Sequence, residues 1–127
     1  MAIQLNHTIV WAKDGRASAN FLAGLFDLPS PKHWGHFYMV EVSNDITLDY
    51  SDYDGEVQSQ HYAFLVSEDE FDQIFGRIQA QGVTHWADPG HHQPGRINTR
   101  DGGRGVYFED PNGHNMEIIT RPYGSGG

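Results

Sequence analysis

The chain has 127 residues and no cysteine, and its 17 acidic side chains against 8 basic ones give a formal charge of −9. That length suits one domain or two small halves sharing a core, and the lack of cysteine excludes disulfides, thiolate metal sites and a cysteine nucleophile. The negative charge disfavours nucleic acid and anionic membranes, no stretch approaches the ~20 apolar residues of a membrane span, and the N-terminus lacks a leader pattern, so a cytoplasmic protein is expected.

In chain order, residues 4–10 read as a strand carrying His7, which shares a face with Leu5, Ile9 and Trp11. Residues 16–28 read as a helix with Phe21, Leu22, Leu25 and Phe26 as its apolar stripe, stopped by Pro29 and Pro31. After the pair His33-Trp34 come strands near 36–42 and 46–51, the second alternating Ile46, Leu48 and Tyr50 with Thr47, Asp49 and Ser51. A strand near 60–66 sets Tyr62, Phe64 and Val66 against His61, Ala63 and Leu65. Residues 68–81 give the clearest helix: Phe71, Ile74, Phe75 and Ile78 form the stripe, Ser67 and Glu70 fit a capping box, and Gly82 ends it.

The pair His85-Trp86 precedes a Gly- and Pro-rich stretch, 88–105, expected to be a long mobile connection. It carries Arg96, Arg100 and Arg104 beside His91 and His92, and reads either as a basic lid over an anionic substrate or as a solvated linker. Strands near 105–109 and 114–120 then form a hairpin through Pro111-Asn112-Gly113, with Gly113 left-handed. This register sets Asp110 opposite His114 and Tyr107 opposite Glu117. Val106, Phe108, Met116 and Ile118 fall on one face, and Tyr107, Glu109, Asn115 and Glu117 on the other. The closing GSGG is expected to be disordered.

Two segments share a pattern of strand with histidine, helix, and His-Trp pair. His7 and His61 are 54 residues apart and the two His-Trp pairs 52 apart, which suggests duplication of one unit, with halves of approximately 1–55 and 56–122 and a flexible 123–127. Each half offers one histidine and one carboxylate, His7 with Asp49 and His61 with Glu117. Neutral imidazole with carboxylate suits zinc, iron(II), manganese or nickel, and two or three protein ligands with open positions make a site catalytic. Each histidine also has an ordinary reading as a hydrogen-bonded strand residue, and Glu117 one as a surface residue.

These residues resemble those of the vicinal oxygen chelate superfamily, which includes glyoxalase I, fosfomycin-resistance enzymes, extradiol dioxygenases and bleomycin-resistance proteins. The segment FEDPNGHNMEI is similar to the family's DPDG-hydrophobic-Glu ending, and LNHTIV and QHYAFLV match its two histidine positions. The resemblance covers nearly the whole chain. It implies an α+β fold of paired βαβββ modules in one glyoxalase-like domain (1–127), forming a U-shaped, mostly antiparallel sheet often completed by dimerisation. It implies His7, His61 and Glu117 as ligands of one divalent metal ion. Asp49 falls where glyoxalase I has a fourth ligand, but is one methylene shorter.

The function expected from this resemblance is lyase or isomerase chemistry on a small substrate chelated through adjacent oxygens, with Glu117 or Asp49 as base. An iron(II) extradiol dioxygenase and a metal-free antibiotic-binding protein are the alternatives. Tyr107, Arg96, Trp11 and Tyr50 are the candidate substrate contacts. A homodimer is expected with the site at or near its interface, because two small modules cover a sheet face poorly without another subunit.

Overall fold

The computed structural model describes residues 2–126. The chain divides into two compact units, Met1–Gln58 and Ser59–Gly127, and each repeats the order βαβββ.

In the first unit, β1 (His7–Ala12) leads into α1 (Gly15–Phe26), followed by β2 (Lys32–Trp34), β3 (Phe37–Glu41) and β4 (Thr47–Asp52). Asp14 caps α1 by accepting from the Ala17 amide at 3.0 Å, and Asp52, from the end of β4, accepts from the Gly15 amide at 2.6 Å. These two carboxylates satisfy donors that a first turn without acidic residues leaves open. The helix ends at Asp27, left-handed at φ 55°, before either proline is reached. The sheet order is β1-β4-β3-β2, with β1 parallel to β4 and the other pairs antiparallel. Val10, Ala12, Val40, Leu48 and Tyr50 are buried, as are Leu22 and Leu25 of α1.

The second unit runs β5 (His61–Leu65), α2 (Glu68–Ala80), β6 (His85–Trp86), a 3-10 turn at Arg100–Gly102, β7 (Gly105–Glu109) and β8 (Asn115–Ile119). Its order, β5-β8-β7-β6, again has one parallel pair. The capping box on α2 forms in full: Ser67 Oγ accepts from the Glu70 amide at 3.1 Å, and Glu70 Oε1 from the Ser67 amide at 2.8 Å. The Ser67 amide holds the Glu70 carboxyl below its ordinary pKa. Its stabilising contribution is therefore complete above the ordinary glutamate pKa and is lost as pH falls through the lowered one. Ser67→Ala should lower stability by about 1 kcal/mol at neutral pH in a denaturant titration, since one helix-end donor loses its acceptor.

The hairpin between β7 and β8 has the expected register, with Tyr107 beside Glu117 and Gly113 at φ 85°. Asp110 builds the corner: its Oδ1 accepts from the Asn112 and His114 amides, both at 2.9 Å, and its Oδ2 from Asn112 Nδ2 at 2.9 Å. Val106, Phe108, Met116 and Ile118 are fully buried on one face, and Phe71 and Ile78 of α2 are fully buried too.

Residues 32–34 and 85–86, each holding a His-Trp pair to which the sequence assigned no element, are short edge strands. Two expectations need correction. The stretch 88–105 is not a free linker. Asp88 accepts from the His92 and Gln93 amides, bridges join Trp86 to Pro94 and Asn98 to Gly105, and Asn98 Nδ2 donates to the Ala87 carbonyl at 2.8 Å. Residues 121–126 are hydrogen-bonded to one another and to Asp101 rather than forming a loose tail, whereas Gly127 lies outside the described residues. Among the described residues no helix is long and apolar enough to cross a membrane.

Candidate functional site

Glu117 sits at the middle of β8, flanked by Ala63 on β5 and Tyr107 on β7. Paired residues share a sheet face, so this row lies opposite the one carrying Met116 and Ile118. His61, two residues before Ala63, projects from the same face. Its Nε2 meets Glu117 Oε1 at 2.9 Å, reaching over the small Ala63 side chain. A carboxylate accepts, so Nε2 donates. Glu117 is fully buried, whereas the His61 side chain is 45% exposed. The buried end of the pair is the carboxylate, and its exposed end opens to solvent through the imidazole.

Two phenols complete the surroundings. Tyr123 donates to Glu117 Oε2 and its hydroxyl lies 2.9 Å from that of Tyr107. Tyr107 in turn stands edge-on to His61, with ring centroids 5.7 Å apart, and lies 3.5 Å from Arg100 Nη1. Burial, then hydrogen bonding to Tyr123 and Glu117, pushes the Tyr107 phenol far above its ordinary range. It therefore remains a neutral hydrogen-bonding group at any working pH. The stretch 88–95 forms the adjacent wall: His91, left-handed at φ 62°, stacks on Trp86 at 3.6 Å and meets Asn115 Oδ1 through Nε2 at 3.0 Å. Asn115 is the register partner of His61.

The first unit repeats this layout with different chemistry. His7 opens β1, and Asp49 on β4 pairs with Ile9, two residues on from His7, as Glu117 pairs with Ala63, two residues on from His61. Asp49 is 6% exposed, and its Oδ1 is buried with no hydrogen-bond partner. The exposed His7 meets Asn6 Oδ1 through Nδ1 at 2.7 Å. A neutral ring so held presents its Nε2 lone pair outward.

Of the sequence-derived candidates, the second unit brings together His61, Glu117 and Tyr107. Trp11 lies on the His7 face, 45% exposed and tilted against Tyr53 at 5.4 Å, and Arg96 is exposed. Tyr50 is corrected: it pairs with Val10, on the face opposite Asp49, and is fully buried, which removes it from any ligand contact. Tyr123 was missed because a residue beyond the last strand, in a Gly-rich ending, gives no periodic signal. His91 was placed in the basic stretch, but its seat on Trp86 and Asn115 has no local marker.

A divalent metal can be tested against this donor set. Donors 2.9 Å apart can both reach one ion at ~2.0–2.2 Å, subtending roughly 90° as neighbouring ligands do. An imidazole and a buried carboxylate are chemically suited to such a cation. Among the described residues, however, no group of three or more His, Asp or Glu side chains gathers tightly enough to hold an ion. The second unit thus brings one imidazole and one carboxylate, both donor types that a divalent cation accepts, within 2.9 Å of each other.

The chain matches the model of the Glyoxalase/Bleomycin resistance protein/Dioxygenase superfamily over residues 4–118, and it belongs to that family. It is 62% identical to a solved structure of "Oxidase ChaP-H2", with a TM-score of 0.97 and all of both chains covered. It is 28% identical over 124 residues to "Glutathione transferase FosA" of Serratia marcescens, covering 93% of this chain and 81% of that protein. A variant of the fosfomycin resistance protein FosX from Listeria monocytogenes, solved with Mn(II) and 1S,2S-dihydroxypropylphosphonic acid, shares the fold at TM-score 0.72 and 21% identity, covering 96% of this chain and 95% of that one. The relatives thus include metal-binding proteins and enzymes of several kinds.

Proposed function

We propose that this protein is a metal-dependent oxidative enzyme of the vicinal oxygen chelate type, acting with dioxygen on a small substrate that presents two neighbouring oxygens. The observation that carries the metal site is the His61–Glu117 pair, a buried carboxylate joined at 2.9 Å to a solvent-reaching imidazole. The likeness to an oxidase over the whole chain moves the reading from lyase or isomerase chemistry towards the dioxygenase alternative.

The ligands proposed are His61 and Glu117, with His7 as the third on the strength of the family resemblance. The ion would be iron(II), supplying a Lewis acid that draws charge from the chelated oxygens and an electron route to dioxygen. Tyr107, kept neutral, would donate a hydrogen bond to the substrate. Asp49, with its unpartnered buried oxygen, would accept a proton from it. Trp11, Arg96 and Arg100 remain proposed substrate contacts, and a homodimer the proposed assembly.

Purified protein should contain a stoichiometric divalent metal by elemental analysis, lost in His7→Ala and His61→Ala. With iron(II), catechol-type substrates should disappear mole for mole with oxygen uptake, and turnover should stop under nitrogen. Turnover that persists without oxygen would return the protein to the lyase or isomerase class. A chain that stays metal-free yet retains affinity for an aromatic compound would mark it as a binding protein. A monomeric mass by light scattering would overturn the dimer.

A further inference from the structure

Residues 121–126 turn back after β8 and clasp the 3-10 turn. Arg121 Nη2 donates to the Ser125 carbonyl at 3.1 Å, and Ser125 Oγ and its amide donate to the Pro122 carbonyl at 2.6 and 3.1 Å. The Gly124 amide donates to Asp101 Oδ2 at 3.0 Å. Gly126 lies so near the Asp101 backbone that a Cβ there would overlap it. The clasp delivers Tyr123 to Glu117. With His61 on Oε1 and Tyr123 on Oε2, both oxygens of the buried carboxylate are held by the chain's own donors. Tyr123 is itself 55% exposed and belongs to a segment tied down by a few surface hydrogen bonds, whereas His61 is fixed in a strand. Of the two partners, Tyr123 is the one free to leave without disturbing the sheet.

We propose that residues 121–126 are a strap whose Tyr123 hydroxyl occupies Glu117 Oε2 and withdraws when a divalent cation takes the carboxylate, so that Tyr123 sets the metal affinity of the site. The proposal rests on the metal-site reading given above. A cation entering this site has to compete with the phenol for carboxylate lone pairs, and a hydrogen bond to a charged group is among the stronger ones to lose. The strap also explains why Gly126 must lack a side chain. The hydrogen bond from the Gly124 amide to Asp101 holds the segment down.

The test is calorimetric titration of Mn(II) into the full chain after chelator treatment. Tyr123→Phe keeps the ring and removes the donor, and should bind Mn(II) about tenfold more tightly than wild type. Gly126→Val should give a similar gain without changing any residue that touches the carboxylate, because the clash with Asp101 lifts the strap and takes Tyr123 with it. The metal-free variants should keep one cooperative thermal transition, with midpoints only a few degrees below wild type because the carboxylate loses one donor, which separates strap release from general loosening. Unchanged or weaker Mn(II) affinity in Tyr123→Phe, beside normal binding by wild type, would overturn the strap and leave the metal site standing. Absence of Mn(II) binding in wild type and both variants would overturn the metal-site reading and the strap with it.

Discussion

Glu117→Gln should fold like wild type and fail to hold the divalent metal proposed for this site. The amide keeps the size of the carboxylate and can still hydrogen-bond to His61 and Tyr123, so no cavity opens. It removes the negative charge and replaces a strong oxygen ligand with a weak one, in a fully buried position where water cannot substitute. Metal content should fall from about one ion per chain to near zero, and turnover should fall with it by a factor of about 1,000 or more. The thermal midpoint of the metal-free variant should be at least that of metal-free wild type, because a neutral amide costs less to bury than a carboxylate. Elemental analysis and a thermal scan on the same sample check both parts. Wild-type metal content in this variant would remove Glu117 from the ligand set.

Phe71→Ala should cost about 3–5 kcal/mol, a large share of the ~5–15 kcal/mol that stabilises a domain of this kind. Phe71 is fully buried on the inner face of α2, touches the Phe75 ring at a centroid distance of 5.8 Å, and carries the Arg104 guanidinium 4.4 Å above its ring. Arg104 is itself anchored by Glu68 Oε1 at 2.8 Å and Asp72 Oδ1 at 2.7 Å, so the aromatic ring forms the floor of an ion-pair cluster. Removing the ring leaves a void beneath that cluster which the buried Ile74 and Ile78 cannot fill without moving the helix. Urea denaturation followed by far-UV circular dichroism should show a much lower midpoint. A loss below about 1 kcal/mol would mean that α2 contributes little to the second unit's core.

Much of the second unit was legible because its signals are local. The capping box of Ser67 and Glu70, the stripe of Phe71, Ile74 and Ile78, and the turn at Gly113 each lie within a few residues, and each forms as read. The hairpin register followed from loop length and alternation, and with it the placing of Glu117 beside Tyr107. The repeat was visible in the His-Trp pairs. Their role as the edge strands β2 and β6 was not, since a two- or three-residue strand carries no periodicity of its own and exists only through its neighbour.

What the sequence by itself determined is the family, the doubled βαβββ order and the facing of His61, Glu117 and Tyr107, because alternation along a strand and a short turn specify which side chains share a face. The tertiary structure alone decided that residues 88–105 are tied down and that Tyr50 is buried. It alone decided that Tyr123 returns to Glu117 across the 3-10 turn. Those outcomes depend on contacts between residues far apart in the chain or on how completely neighbours cover a side chain. Neither is encoded in any window short enough to carry a pattern.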